Sequence, residues 1–183
     1  KDGQPSRAVH RMVRLVAFGL CAAGAMVLLI RRAQALMEAA GDDGDFDALC
    51  QQLHRYQATL RTCFTLENFD NLIKNGRMRP IVGTLLRSLG IHIIADATAE
   101  GTIHVADKAR GVGKTYRAIT ALMKASKDCT DAEVVISHCE NLEGAMALKR
   151  QILADLPVKQ VDLLFCRGLT SFYAMEKGLI VGY

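Results

Sequence analysis

The sequence predicts an α/β sandwich, with helices packed on a sheet. Three observations predict it. Short runs of β-branched and apolar residues, such as Val134-Val135-Ile136, alternate with longer stretches of helical apolar spacing. Glycine-bearing turns at 41–44, 75–76, 90 and 99–101 punctuate the runs. The chain has 183 residues, 50% of them hydrophobic, enough to bury one core or one domain plus a fragment of another.

Each element has its own signal. Residues 1–14 are polar, contain Pro5 and read as a lead-in. Residues 25–39 read as a helix whose apolar face carries Met26, Leu29, Ile30, Ala33, Leu36 and Met37. Gly41-Asp42-Asp43-Gly44 is a linker, and Asp45 is placed to cap a second helix with a stripe of Phe46, Leu49, Leu53 and Tyr56. Residues 62–66 are strand-like. Residues 67–74 form a short helix that Asn75-Gly76 stops. An apolar helix over 81–89 ends at Gly90, and strands over 91–97 and 102–107 meet through a turn at 99–101. The helix from 111 to 126 buries Tyr116, Ile119, Leu122 and Met123. A strand at 134–136, a helix over 141–156 ended by Pro157, a strand at 161–165 and a closing strand at 179–181 complete the pattern.

Charge narrows the function classes. Net charge is +4, yet residues 1–40 hold six Lys/Arg against two acids, and the rest of the chain is balanced. A nucleic-acid binder carries its basic excess across the folded body, so nucleic acid is not expected as a partner. One local basic region remains: residues 72–127 hold ten Lys/Arg against three acids. The six cysteines are scattered, without CxxC or zinc spacing, as expected of small apolar residues in the cytoplasm. No His shares spacing with a second metal-type ligand, so neither metal nor other cofactor is expected. The uncharged run 15–30, flanked by Arg14 and Arg31-Arg32, offers a membrane contact. It is shorter than the roughly 20 residues of a spanning helix, and a buried cytosolic segment is the favoured reading.

Gly113-Lys114-Thr115 looks like the end of a phosphate-binding loop. Position 108 is Lys where that motif needs glycine, so nucleotide binding is not expected, although an anion could rest on this helix N-terminus. His138-Cys139 follows a strand, but adjacent residues of an extended segment point to opposite faces, so His138 is read as a structural turn residue. Paired carboxylates for acid–base chemistry are absent: the aspartates at 42, 43, 45 and 47 crowd a linker. Arg77 and Arg110 each follow a turn, at 75–77 and 108–111, and both flank the most apolar part of the chain. Guanidinium groups match carboxylates. Basic groups beside an apolar layer suit a ligand with a greasy body and an anionic head.

Three blocks carry a family resemblance. The stretch from Phe64 to Arg77 resembles the "F.L..L..L.K.GR" block of DegV family proteins. Lys108-Ala109-Arg110-Gly111 with Lys114 and Ala118 is similar to their "K.RG..KA" block, and Ile136-Ser137-His138 with Asn141, Glu143 and Ala145 to "I.H..N.E.A". The likeness covers about residues 26–165. It implies a two-domain α/β protein that binds one long-chain fatty acid between its domains, is not itself an enzyme, and presents the carboxylate to the separate ATP-binding subunit of a bacterial fatty acid kinase. Arg77 and Arg110 match family positions near the head group or the kinase docking surface. The family's late "G.H.GPG" turn falls near 168–175, with Ser171 at the histidine's place. Phe18-Gly19 stands where an Asp-Ser is expected, so the chain reads as a truncated member. By this resemblance, residues 1–24 are a lead-in, 25–76 a helical remnant of the N-terminal domain, and 77–183 the C-terminal α/β domain. The alternative is a membrane-associated or degenerate accessory protein without lipid binding.

Overall fold

In the computed structural model the described residues are 22–41, 44–74, 90–97 and 103–183. The expected helix over 81–89, the Asn75-Gly76-Arg77 turn, the 99–101 turn and the polar lead-in lie outside them. The elements in order are helices α1 (Ala22–Ala40) and α2 (Phe46–Thr59), strand β1 (Thr62–Leu66), helix α3 (Asp70–Lys74), strands β2 (Ile91–Ala97) and β3 (Ile103–Arg110), helix α4 (Val112–Ser126), strand β4 (Glu133–His138), helix α5 (Leu142–Asp155), strand β5 (Gln160–Phe165), helix α6 (Leu169–Ala174) and strand β6 (Leu179–Gly182).

The six strands form one sheet in the order β3-β2-β1-β6-β4-β5. Its pairings are antiparallel except for β4 with β5, which α5 links as a parallel crossover. Strand β1 comes from before residue 76, yet it sits between β2 and β6. Residues from before and after position 76 thus share one sheet.

Strand alternation sends side chains to two cores. One face carries Cys63, Ile94, Ile136, Leu179 and Val181 against Tyr116, Ile119 and Met123 of α4 and Leu148 and Ile152 of α5. The other carries Phe64, Leu66, Ile93, Ala95 and Ile180 with Phe69 and Leu72 around α3 and Ala174 of α6. Leu122, expected in the core, is only half-buried.

Helix α1 packs on β4 and β6, but not through the expected face. Ile30 and Met37 are 52% and 64% exposed, whereas Gly24 and Leu28 are buried. The helix is apolar on several sides, so its sequence pattern did not single out one stripe. Backbone approach decided: a Cβ on Gly24 would lie 2.8 Å from both Gly182 N and Val135 O. Arg31 then reaches Asp162 at 2.6 Å and Glu133 at 3.8 Å. The described part of the apolar run 15–30 is thus packed on the sheet, and among the described residues no helix is long and apolar enough to cross a membrane.

Asp45 caps α2 as expected, accepting from the amides of Asp47 and Ala48. Of the expected stripe, Leu49, Leu53 and Tyr56 are half-buried and only Phe46 is a correction, at 75% exposed; α2 has no fully buried residue, because it rests on α1 rather than on the sheet. Helix α3 starts three residues later than expected, where Asn68 Oδ1 accepts from Asp70 N. Helix α6 had no counterpart in the sequence reading.

Candidate functional site

One end of the sheet collects the polar groups. The C-terminal end of β1, the start of β2, the start of β6 and the N-termini of α4 and α5 meet there. They border a small open cleft lined by Thr65, Leu66, Glu67, His92, Val112, Thr115, Tyr116, Asn141, Lys177 and Leu179. Two helices therefore direct their positive ends toward one hollow.

The local causes are visible. Gly111, at φ 86, turns the chain out of β3 into α4 and gives the helix no side-chain cap. Thr115 bonds back to Gly111 O through both its amide and its hydroxyl, each at 3.1 Å. Asn141 caps α5 by accepting from Gly144 N at 3.2 Å, and its amide group donates to Lys177 O at 2.8 Å. That second bond ties the turn before β6 to the helix start. Lys177 Nζ lies 3.9 Å from Glu67 Oε2.

Thr65 is 6% exposed, and its Oγ1 has no hydrogen-bond partner. Its register partners, Ile94 and Leu179, are apolar. Tyr116 is held neutral: burial, then the Glu67 and Glu143 carboxylates, raise its phenol above the ordinary value. Beside the cleft, His138 is buried at the end of β4, and its Nδ1 accepts from Asn141 N at 3.4 Å. Burial lowers its pKa from the ordinary imidazole value. It is the last paired residue of β4, opposite Phe165 and Leu179, rather than the turn residue expected.

Arg110 is the exposed last residue of β3, two residues before Val112 at the rim of this cleft. Ser171 lies elsewhere, half-buried in α6. It bonds the Cys139 thiol, whose pKa is raised chiefly by burial and eased down by that bond. Cys166, in the same core, is pushed up to about 12 by burial and by Cys139. Thiols with raised pKa are poor nucleophiles at neutral pH. Arg77 lies outside the described residues. Sequence reasoning missed Thr65, His92, Asn141 as a cap and Lys177 as cleft residues. Their only signal was the nearness of two motif blocks, and long-range pairing alone brings those together.

Comparison with known proteins places this geometry. Residues 19–177 match the family model described as "Uncharacterised protein, DegV family". A DegV domain-containing protein of Streptococcus gordonii is 31% identical over 165 residues, covering 90% of this chain and 57% of that relative. A DegV domain-containing protein of Streptococcus pneumoniae is 30% identical over 184 residues, 100% of this chain and 62% of its own length. Among solved structures, the S. pneumoniae Fatty Acid Kinase (Fak) B3 protein loaded with linoleic acid superposes with TM-score 0.78 at 30% identity, over 87% of this chain and 56% of that one. A Eubacterium eligens protein loaded with heptadecanoic acid gives TM-score 0.79 at 25% identity, over 86% of this chain and 55% of its own. The chain thus spans between half and two thirds of the length of these relatives.

Proposed function

Because the chain belongs to the DegV family, we propose that it is part of a fatty-acid-binding, non-catalytic protein that presents a bound long-chain carboxylate to a separate ATP-binding kinase subunit. The observation that carries this reading is the likeness, at 30% identity and TM-score 0.78, to a fatty acid kinase B protein loaded with linoleic acid. The apolar stretch 85–94 of the sequence is proposed as the acyl-chain lining. Each methylene taken from water contributes about 0.8 kcal/mol. Exposed Arg110 is proposed as a contact for the head group or the kinase, as are Arg77 and, separately on α6, Ser171. Cys50, Cys129, Cys139 and Cys166 are free thiols, which supports a reducing compartment, the cytoplasm.

Native mass spectrometry of the purified chain tests the reading. A co-purifying fatty acid, or a one-to-one adduct after oleate addition, is expected. A chain that carries none and takes up no oleate sinks it. Arg110→Ala is expected to weaken head-group retention or kinase recruitment at least several-fold; unchanged binding in both assays removes Arg110 from the site.

A further inference from the structure

The outer side of the β5–α5 pair has no role in the fatty-acid reading. Strand β5 ends the sheet. Cys166 N donates to His138 O at 2.8 Å. Alternation therefore gives the backbone groups of residues 160, 162 and 164 to β4 and turns those of Val161, Leu163 and Phe165 outward. Among the described residues nothing pairs with that outward row. Natural edges are guarded by lysine, proline or bulges, and β5 contains none of these. Its one charge, Asp162, is held by Arg31 at 2.6 Å.

Helix α5 continues the same side above the strand. Leu142, Met146 and Leu153 are 55%, 46% and 48% exposed, and their spacing sets them in one narrow stripe. Buried Ala145, Leu148 and Ile152 face the sheet. Asp155 faces α4, where the Thr120 hydroxyl donates to it at 2.7 Å. The stripe lies away from α4, over the open edge of β5. Glu143 and Arg150 are exposed and seven residues apart, so they share one flank of that stripe. Neither has an ion-pair partner among the described residues.

A second copy of the chain fits this side in dimension and in charge. The crossover leaves α5 antiparallel to β5 and seated over β4 and β5. A two-fold axis normal to the sheet at the open edge would pair β5 with its own copy, antiparallel, at about 4.8 Å. The same axis sets the two α5 helices antiparallel at about 10 Å, an ordinary helix-packing distance. Their stripes then face each other, and the Glu143 end of each helix meets the Arg150 end of the other. We propose that two copies of this chain associate through the β5 edge and the Leu142–Met146–Leu153 stripe. The inference goes beyond the fatty-acid reading and stands without it.

Sedimentation equilibrium of the full chain across the micromolar range is expected to show a reversible monomer–dimer equilibrium. Met146→Glu should weaken the dimer about tenfold or more. Met37→Glu, at an equally exposed site on α1, should leave it unchanged. Glu143→Arg and Arg150→Glu each set like charges against one another and should weaken it several-fold, while the double swap restores it. All these side chains are exposed, so thermal melts within a few degrees of the parent separate a lost contact from lost folding. Recovery in the double swap is a result that no general loss of stability produces. A monomer at every concentration, a dimer unmoved by Met146→Glu, or a double swap no better than the single changes overturns the proposal. Oleate uptake by the same preparation is read by native mass spectrometry, so each reading can fail without the other.

Discussion

His138 shows how a single residue can be placed by sequence and yet keep its consequence hidden. Its position after a strand and before a helix was legible, because the run 134–136 and the helix expected from residue 141 bracket it. Its burial was not, since that follows from packing beneath the start of α5 and from the edge-on contact with Phe165, centroids 5.4 Å apart. Burial lowers the folded pKa, and Nδ1 must stay unprotonated to accept the Asn141 amide. The unfolded chain, with a pKa near 6.5, therefore binds the proton more readily than the native state. Stability from this residue is present above about pH 6.5 and is lost as pH falls from that value toward the lowered folded one. Thermal melts between pH 7.5 and 5 should show a falling midpoint, and His138→Gln should flatten part of that slope. Equal slopes in both proteins would show that His138 is not the group responsible. Thr65 is the opposite case. A threonine inside the strand-like run at 62–66 reads as ordinary β propensity, and only the pairing of β1 with apolar partners on both sides reveals its orphaned hydroxyl.

At the scale of elements, type was easier to read than orientation. Strand β2 was expected over its full observed range, while β3 runs three residues past its expected end, to Arg110, because pairing with Ile91 keeps the chain extended there. Helix α1 was placed within three residues at its start, but its packed face was not found. Apolar periodicity measures where large side chains recur, whereas this helix docks through a small residue. Gly24 lets the α1 backbone approach β4 and β6, and a methyl there would meet Gly182 N and Val135 O, both backbone atoms that cannot swing aside. Gly24→Ala should therefore cost about 1–3 kcal/mol through overpacking. The same change at exposed Gly113, where a Cβ meets nothing within 4 Å, should be neutral or stabilising, since alanine favours the helix by up to about 1 kcal/mol. Urea denaturation of the two variants checks the contrast. A Gly24→Ala protein as stable as the parent would mean that α1 does not pack this tightly on the sheet.

For the whole molecule, the decisive feature is strand order, which no local pattern encodes. The run at 179–181 was legible as a closing strand, but its neighbours were not: β6 enters between β1 and β4, pairing antiparallel with both. It alone joins the β3-β2-β1 meander to the β4-α5-β5 crossover within the sheet. Its residues Leu179, Ile180 and Val181 are at most 1% exposed and belong to both cores. The adjoining backbone closes the same seam, since Arg61 and Tyr183 exchange amide–carbonyl bonds at 2.8 and 3.0 Å. Tyr183 is itself buried, with its hydroxyl 2.7 Å from Ser126 Oγ. Removing β6 would uncover Phe64 and Ile136 at once and leave two sheet halves with unpaired edges. Fully burying one such side chain contributes about 1.5–3 kcal/mol, against a typical domain stability of about 5–15 kcal/mol. A chain ending at Gly178 should thus lose its cooperative thermal transition and its dispersed amide spectrum, although β2, β3 and α4 keep every local contact among themselves. Four single substitutions of exposed residues on α2 should leave both observables intact. If the shortened chain still melts cooperatively within a few degrees of the parent, the two halves are independent folding units and β6 is a cover rather than the link between them.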